Sequence, residues 1–220
     1  MNPYQAVRDF EEMIAEYAGS KYAVAVESGS AAIFLSLMWC RHRIAKGAED
    51  KRWRGKKWKG NGKLGEITIP KHTYPSVPCS IKHAGGRIKF SDEPWAGIYQ
   101  LYPYFVYDGA LRFQRKMYTG GLHCLSFHVK KHLPIGRGGM ILLNDPMANE
   151  WLRRARFDGR GEMPLSEDDF TMLGWNMYMT PEQAVRGIQL FQPIKDKDFS
   201  DLIVPDQGYP DLSKFKVFTR

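Results

Sequence analysis

Cysteine is scarce in this chain of 220 residues: Cys40, Cys79 and Cys124 are odd in number, far apart and without CxxC spacing. That pattern excludes a disulfide framework and offers no metal site of the zinc type, so reduced, partly buried thiols are expected. Long hydrophobic runs are missing too. No apolar stretch reaches the roughly 18 residues of a membrane span, and Met1-Asn2-Pro3-Tyr4 lacks the basic and apolar regions of a secretory leader. The expectation is a cytoplasmic protein that makes no membrane contact.

Acidic charge is in short supply, but only locally. The chain carries 32 basic and 24 acidic residues, a net charge of +8. Between Arg41 and Lys63 stand ten basic residues against Glu49 and Asp50. That excess of eight equals the whole net charge, so the remainder is neutral. Trp53 and Trp58 sit among these lysines and arginines, with Gly55, Gly60 and Gly62 as breakers. No helical or strand period runs through the stretch, so it is expected to be an exposed loop. Basic charge interleaved with aromatics suits a nucleic-acid or nucleotide contact through counterion release and stacking, and it equally suits a solvated surface.

With 43% hydrophobic residues, the chain can bury one sizeable core. Phe10, Met13, Ile14 and Tyr17 share one helical face, and Gly19 stops that helix. Tyr22 to Val26 reads as a buried strand. It runs through Ser28-Gly29-Ser30 into an apolar helix over Ile33 to Trp39, a geometry that presents backbone N–H groups to an anion. Strands follow at Glu66 to Pro70, Arg87 to Phe90, Pro103 to Tyr107, Leu122 to Phe127 and Gly139 to Asp145. Helices are expected at Val77 to His83, Met147 to Phe157 and Pro181 to Leu190, the last capped by Thr180 with proline at its first position. Asp108 ends its strand where, in an open α/β sheet, a ligand crevice lies.

Ser126-Phe127-His128-Val129-Lys130-Lys131 is the stretch with chemistry in it. A lysine ending a short apolar strand can form a Schiff base, a serine five residues earlier can reach a phosphate, and Gly136, Gly138 and Gly139 let backbone pass close to a cofactor. This is what a pyridoxal phosphate enzyme needs, although two solvated lysines at a strand end would look the same.

Taken together, the segments over residues 7 to 192 resemble the DegT/DnrJ/EryC1/StrS sugar aminotransferases, a family of fold-type I enzymes dependent on pyridoxal 5'-phosphate. Phe10 to Ala32 is similar to that family's opening motif, and Ile69-Pro70 with Thr73-Tyr74 to its second. Asp108, the Ser126 to Gly139 stretch, and Gly174-Trp175-Asn176 with Gln183-Ala184 match three more, in family order. The resemblance implies an α/β three-layer sandwich around a mostly parallel sheet. It implies that Lys131, not Lys130, forms the internal aldimine and then moves the α-proton, and that Asp108 pairs with the pyridine nitrogen. Tyr74 would stack on the ring. Ser30, the N–H groups of Ser30 and Ala31, and Ser126 would hold the phosphate. Asn176 would reach the phosphate of a neighbouring subunit, which implies a homodimer with shared active sites.

Three departures accompany the resemblance. Leu111 stands where the family has a glutamine, the stretch between Phe90 and Asp108 is short, and little follows Gln192 where the family has a small domain. The expected organisation is therefore a cofactor-binding large domain at 1–192, with the basic loop inserted at 41–65, and a tail at 193–220 in place of the small domain. The leading expectation is an aminotransferase using a small-molecule amino donor and a nucleotide-linked keto sugar or similar acceptor. A second keeps the cofactor but acts, as decarboxylase or transaminase, on a modified base or amino-acid-decorated nucleic acid in a phage-type DNA-modification pathway. A third is a non-catalytic scaffold.

Overall fold

The computed structural model describes residues 2–47, 62–197, 199–201 and 208–219. Most of the basic loop, and with it the expected nucleic-acid contact, lies outside the described residues. Helix α1 (Gln5–Ala18) leads into β1 (Tyr22–Val26) and α2 (Gly29–Ala45). Then come β2 (Glu66–Pro70), α3 (Ser76–His83) and β3 (Arg87–Ser91). Strands β4 (Tyr99–Gln100), β5 (Val106–Asp108), β6 (Leu122–Ser126) and β7 (Gly139–Leu143) follow, then α4 (Pro146–Ala155), α5 (Pro181–Phe191) and a short α6 (Lys216–Thr219). Among the described residues, no helix is long and apolar enough to cross a membrane.

Local chemistry explains most boundaries. Gly19 ends α1 in the left-handed conformation at φ 80° and returns its N–H to the Ala15 carbonyl. Thr180 and Gln183 form a reciprocal capping box that starts α5. Helix α2 outruns the expected Ile33 to Trp39, because its first turn is capped by Ser28 and Ile44 is buried in its last.

The main sheet has the order β1-β7-β6-β5-β4. Strand β7 runs antiparallel to both β1 and β6, β5 is parallel to β6, and β4 is antiparallel to β5. Strands β2 and β3 form a parallel pair, tied to the main sheet by an antiparallel bridge between Thr68 and Tyr102. The α/β fold class holds, but the sheet is mixed rather than mostly parallel. The 127–138 connection contains no helix, and only a crossover could bring β7 back parallel to β6. Strand β5 is also shorter than expected: a turn closed by the Tyr104 N–H on the Leu101 carbonyl occupies the residues before it.

Side-chain alternation in the strands sorts the core into two layers. Val24, Val26, Cys124, Ile141 and Leu143 pack under α2, α3 and α4, while Ala23, Ala25, Leu125, Met140 and Leu142 pack under α1 and α5. Burial on both faces explains why these strands read as continuous apolar runs. Each buried Val, Leu or Ile contributes about 1.5–3 kcal/mol.

Candidate active site

Strands β1 and β6 both oppose β7, and β5 runs with β6, so these three point the same way. The Thr68–Tyr102 bridge aligns β2 with them. Their C-terminal ends therefore bring Ser28 to Ser30, Lys71 to Tyr74, Asp108 and Ser126 to Lys131 to one edge. That edge is where open α/β sheets hold ligands.

Asp108 is 5% exposed. Its Oδ1 accepts from the Ala110 N–H at 3.0 Å and its Oδ2 from the Tyr99 hydroxyl at 3.0 Å. Tyr99 in turn shares a 2.5 Å bond with the Thr73 hydroxyl. Burial pushes the Asp108 carboxyl above the usual carboxylate range, against the pull of these two donors and the Lys131 charge. Burial likewise pushes the Tyr99 phenol well up, so Tyr99 stays a neutral donor.

Lys131 is half-buried and Lys130 is exposed. The difference comes from a turn in which the Lys131 N–H bonds to the His128 carbonyl at 2.9 Å. Burial lowers the Lys131 amine from its ordinary value, and the Asp108 carboxylate partly restores it. A lowered amine keeps more of itself in the unprotonated form that attacks carbonyl carbon.

The start of α2 supplies an anion-facing edge. A Cβ on Gly29 would lie 2.9 Å from the Ser126 Cβ, and one on Gly139 only 2.4 Å from the Ser28 carbonyl. Glycine at both positions is thus what lets β6, β7 and the head of α2 close together. The Ser30 hydroxyl donates to Ser76 at 2.7 Å, and Ser126 Oγ takes only a long 3.4 Å bond from the His128 N–H. The Ala31 N–H is engaged by Ser28 Oγ at 3.1 Å, so the Gly29 and Ser30 N–H groups are the ones at the open helix end. Beside them lies a cavity of about 390 Å³ lined by Ser28, Ser30, Ser76, Ser80 and Trp175.

Tyr74 is 57% exposed and meets Tyr209 edge-on, with ring centroids 6.1 Å apart. Asn176 is not brought to this group within its own chain: it is exposed, and its amide donates to Asp158 at 3.1 Å. Leu111, at the expected glutamine position, is buried. Sequence reasoning missed Tyr99, Ser76 and Tyr209, and gave Thr73, though part of the second motif, no role of its own. Ser76 could have been flagged as the polar residue just before the helix expected from Val77, but nothing local marks Tyr99 or Tyr209.

The family model of the DegT/DnrJ/EryC1/StrS aminotransferases matches residues 1–51 and 109–197. The chain belongs to this family. Solved structures of family enzymes share its fold. The sugar aminotransferase CalS13 from Micromonospora echinospora superposes with a TM-score of 0.67 at 16% identity, over 86% of this chain and 61% of the other. A DegT DnrJ EryC1 StrS aminotransferase from Brucella abortus gives 0.64 at 18% identity, over 87% and 59%. Helicobacter pylori PseC, an aminotransferase involved in pseudoaminic acid biosynthesis, gives 0.64 at 15%, over 86% and 57%. At such identities the likeness establishes the fold. The DegT/DnrJ/EryC1/StrS chain described here spans about three-fifths of these relatives' length. No curated protein matches its sequence.

The residues present fit the pyridoxal phosphate on which this family relies. The buried carboxylate of Asp108 has one donor on each oxygen, leaving lone pairs for a protonated ring nitrogen. The close approach at Gly29 forms a cradle that a Cβ would fill.

Proposed function

We propose that this chain is a pyridoxal phosphate-dependent aminotransferase, a cytoplasmic homodimer that passes an amino group from a small-molecule donor to a keto group of a nucleotide-linked sugar or similar acceptor. The observation that carries this reading is a half-buried Lys131 amine, lowered by burial, within the electrostatic reach of the buried Asp108 carboxylate. Residues 1–192 would form the cofactor-binding domain, with 193–220 in place of the family's small domain.

Lys131 would hold the cofactor covalently through its amine, and Asp108 would hold its ring nitrogen. Tyr74 would cover a ring face. Ser30, Ser126 and the N–H groups at the head of α2, Ala31 included once Ser28 releases it, would take its phosphate. Bound there, the cofactor supplies an electron sink that lets a bond to the donor's α-carbon break. Asp108, its carboxylate fixed in place by Tyr99 and the Ala110 N–H, would keep a proton on the ring nitrogen. When not bonded to the cofactor, Lys131 Nζ would take the proton from the donor's α-carbon and, in the second half-reaction, give a proton to the acceptor carbon that receives the amino group.

Asn176 would serve the second subunit. Its exposure, together with Leu173 at 92% and Phe170 at 55% exposed, supports an association face along residues 163–176. The test is the visible absorbance of purified protein with pyridoxal phosphate, before and after L-glutamate. A band that forms in the wild type, is absent in Lys131→Ala and is bleached by glutamate is expected. No band in the wild type overturns the reading.

A further inference from the structure

The C-terminal residues 208–219 dock on the loop after β2. The Leu212 N–H bonds to the Lys71 carbonyl at 2.9 Å, His72 Nδ1 meets the Tyr209 carbonyl at 2.9 Å, and Leu212 is 2% exposed. Asp211 bridges His72 and lies 3.9 Å from the Lys71 amine. This docking sets the Tyr209 ring edge-on to Tyr74 and half-buries it. Burial, and after it the Asp108 charge and the Tyr74 hydroxyl, push the Tyr209 phenol above its ordinary value. It therefore stays protonated at neutral pH. On the other side, residues 199–201 hold the loops after β5 and β6. Arg112 pairs with Asp201 at 2.6 Å, and His132 Nε2 meets the Ser200 carbonyl at 3.0 Å. The tail thus grips the crevice from both sides.

We propose that Tyr209 is an active-site residue, a wall of the cofactor pocket supplied by the chain's own C-terminal segment, which shields Asp108 from water and presents its hydroxyl to the bound ligand. This rests on the cofactor reading above. Unlatching the segment opens the Asp108 side of the crevice to solvent, so retention of the cofactor weakens. Removing the hydroxyl alone leaves the wall in place and changes only what the pocket offers its ligand.

The test is pyridoxal phosphate binding to the full chain, read by visible absorbance as Kd and as the pH midpoint of the band, for wild type, Tyr209→Ala, Tyr209→Phe and Leu212→Asp. Hydrogen exchange at the Leu212 amide, with and without pyridoxal phosphate, reports on the segment independently of activity. The expected result is a rise in Kd of tenfold or more for Tyr209→Ala and Leu212→Asp. Tyr209→Phe should hold Kd within threefold and move the pH midpoint. Wild-type Leu212 exchange should slow when the cofactor binds. Tyr209 is half-exposed, so Tyr209→Ala keeps the test valid even if Leu212→Asp fails to fold. A wild-type band with unchanged Kd in Tyr209→Ala overturns this inference alone. No band in the wild type overturns the cofactor reading and this inference with it.

Discussion

Glu11 and Asp108 are both buried carboxylates, 2% and 5% exposed, on opposite faces of one sheet, and they are treated in opposite ways. Glu11, on α1, pairs with Arg156 and with Arg153 at 2.7 Å and accepts the Ala25 N–H at 2.7 Å. Arg156 adds a bond to the Ala25 carbonyl, so charge meets charge and the cluster ties α1, β1 and the end of α4 together. The hydrogen-bond donors on Asp108 are neutral, and the Lys131 charge acts on it without an ion-pair contact among the described residues. The first group is closed and structural. The second is buried with its charge uncompensated by contact, an arrangement that costs stability and makes sense where a ligand completes it.

The largest effect that would break this contrast comes from exchanging the two sites' chemistry. Glu11→Gln should leave Arg156 without its buried partner and cost about 3–5 kcal/mol. In a chain this size that lowers Tm by about 10 °C. Asp108→Asn should hold or raise Tm, because it removes a charge that burial penalises, while aminotransferase turnover falls about 10²–10⁴-fold. Equal losses of Tm in the two variants would erase the distinction.

A smaller effect sharpens it. His123 is 1% exposed and burial pushes its pKa down to about 4. Between that value and its ordinary 6.5, the unfolded chain binds more protons than the folded one, so stability rises with pH across this window. The contribution is complete above pH 6.5 and is lost as pH falls to about 4, worth roughly 3 to 3.5 kcal/mol in all. His123→Leu should flatten the dependence of Tm on pH in this range, and an unchanged slope would remove His123 from the account. The smallest effect belongs to the exposed pair of Arg137 and Glu27, 2.7 Å apart. Arg137→Ala should change stability by less than about 1 kcal/mol in chemical denaturation.

Only the Asp108 half of this contrast was legible in the sequence: Glu11 reads as lying outside the apolar face of its helix, yet it is buried. Strands β1 and β2 and the start of α5 follow from runs of apolar residues and from Thr180 with Pro181, signals carried within a few neighbours. Asp108 was legible because it ends an apolar strand, whereas Lys131 lies in a turn five residues past the end of β6 and was singled out from Lys130 only by the resemblance to the family's motif. Tyr99 was not, because it reaches Asp108 from a strand of two residues, too short to show a period. Tyr209 was not, because it comes from a tail whose docking depends on the Lys71 carbonyl and the His72 ring more than a hundred residues away. The direction of β7 depended on the absence of a helix between it and β6, which residue pattern alone left open.

The central claim is that Lys131, and not its exposed neighbour Lys130, carries the cofactor. Borohydride reduction of the protein incubated with pyridoxal phosphate, followed by peptide mass spectrometry, tests it directly. One reduced pyridoxyl phosphate group on Lys131, absent when Asp108 and Lys130 remain and Lys131 is replaced by alanine, is the predicted result. Label on Lys130, or spread over several surface lysines with none on Lys131, would contradict it.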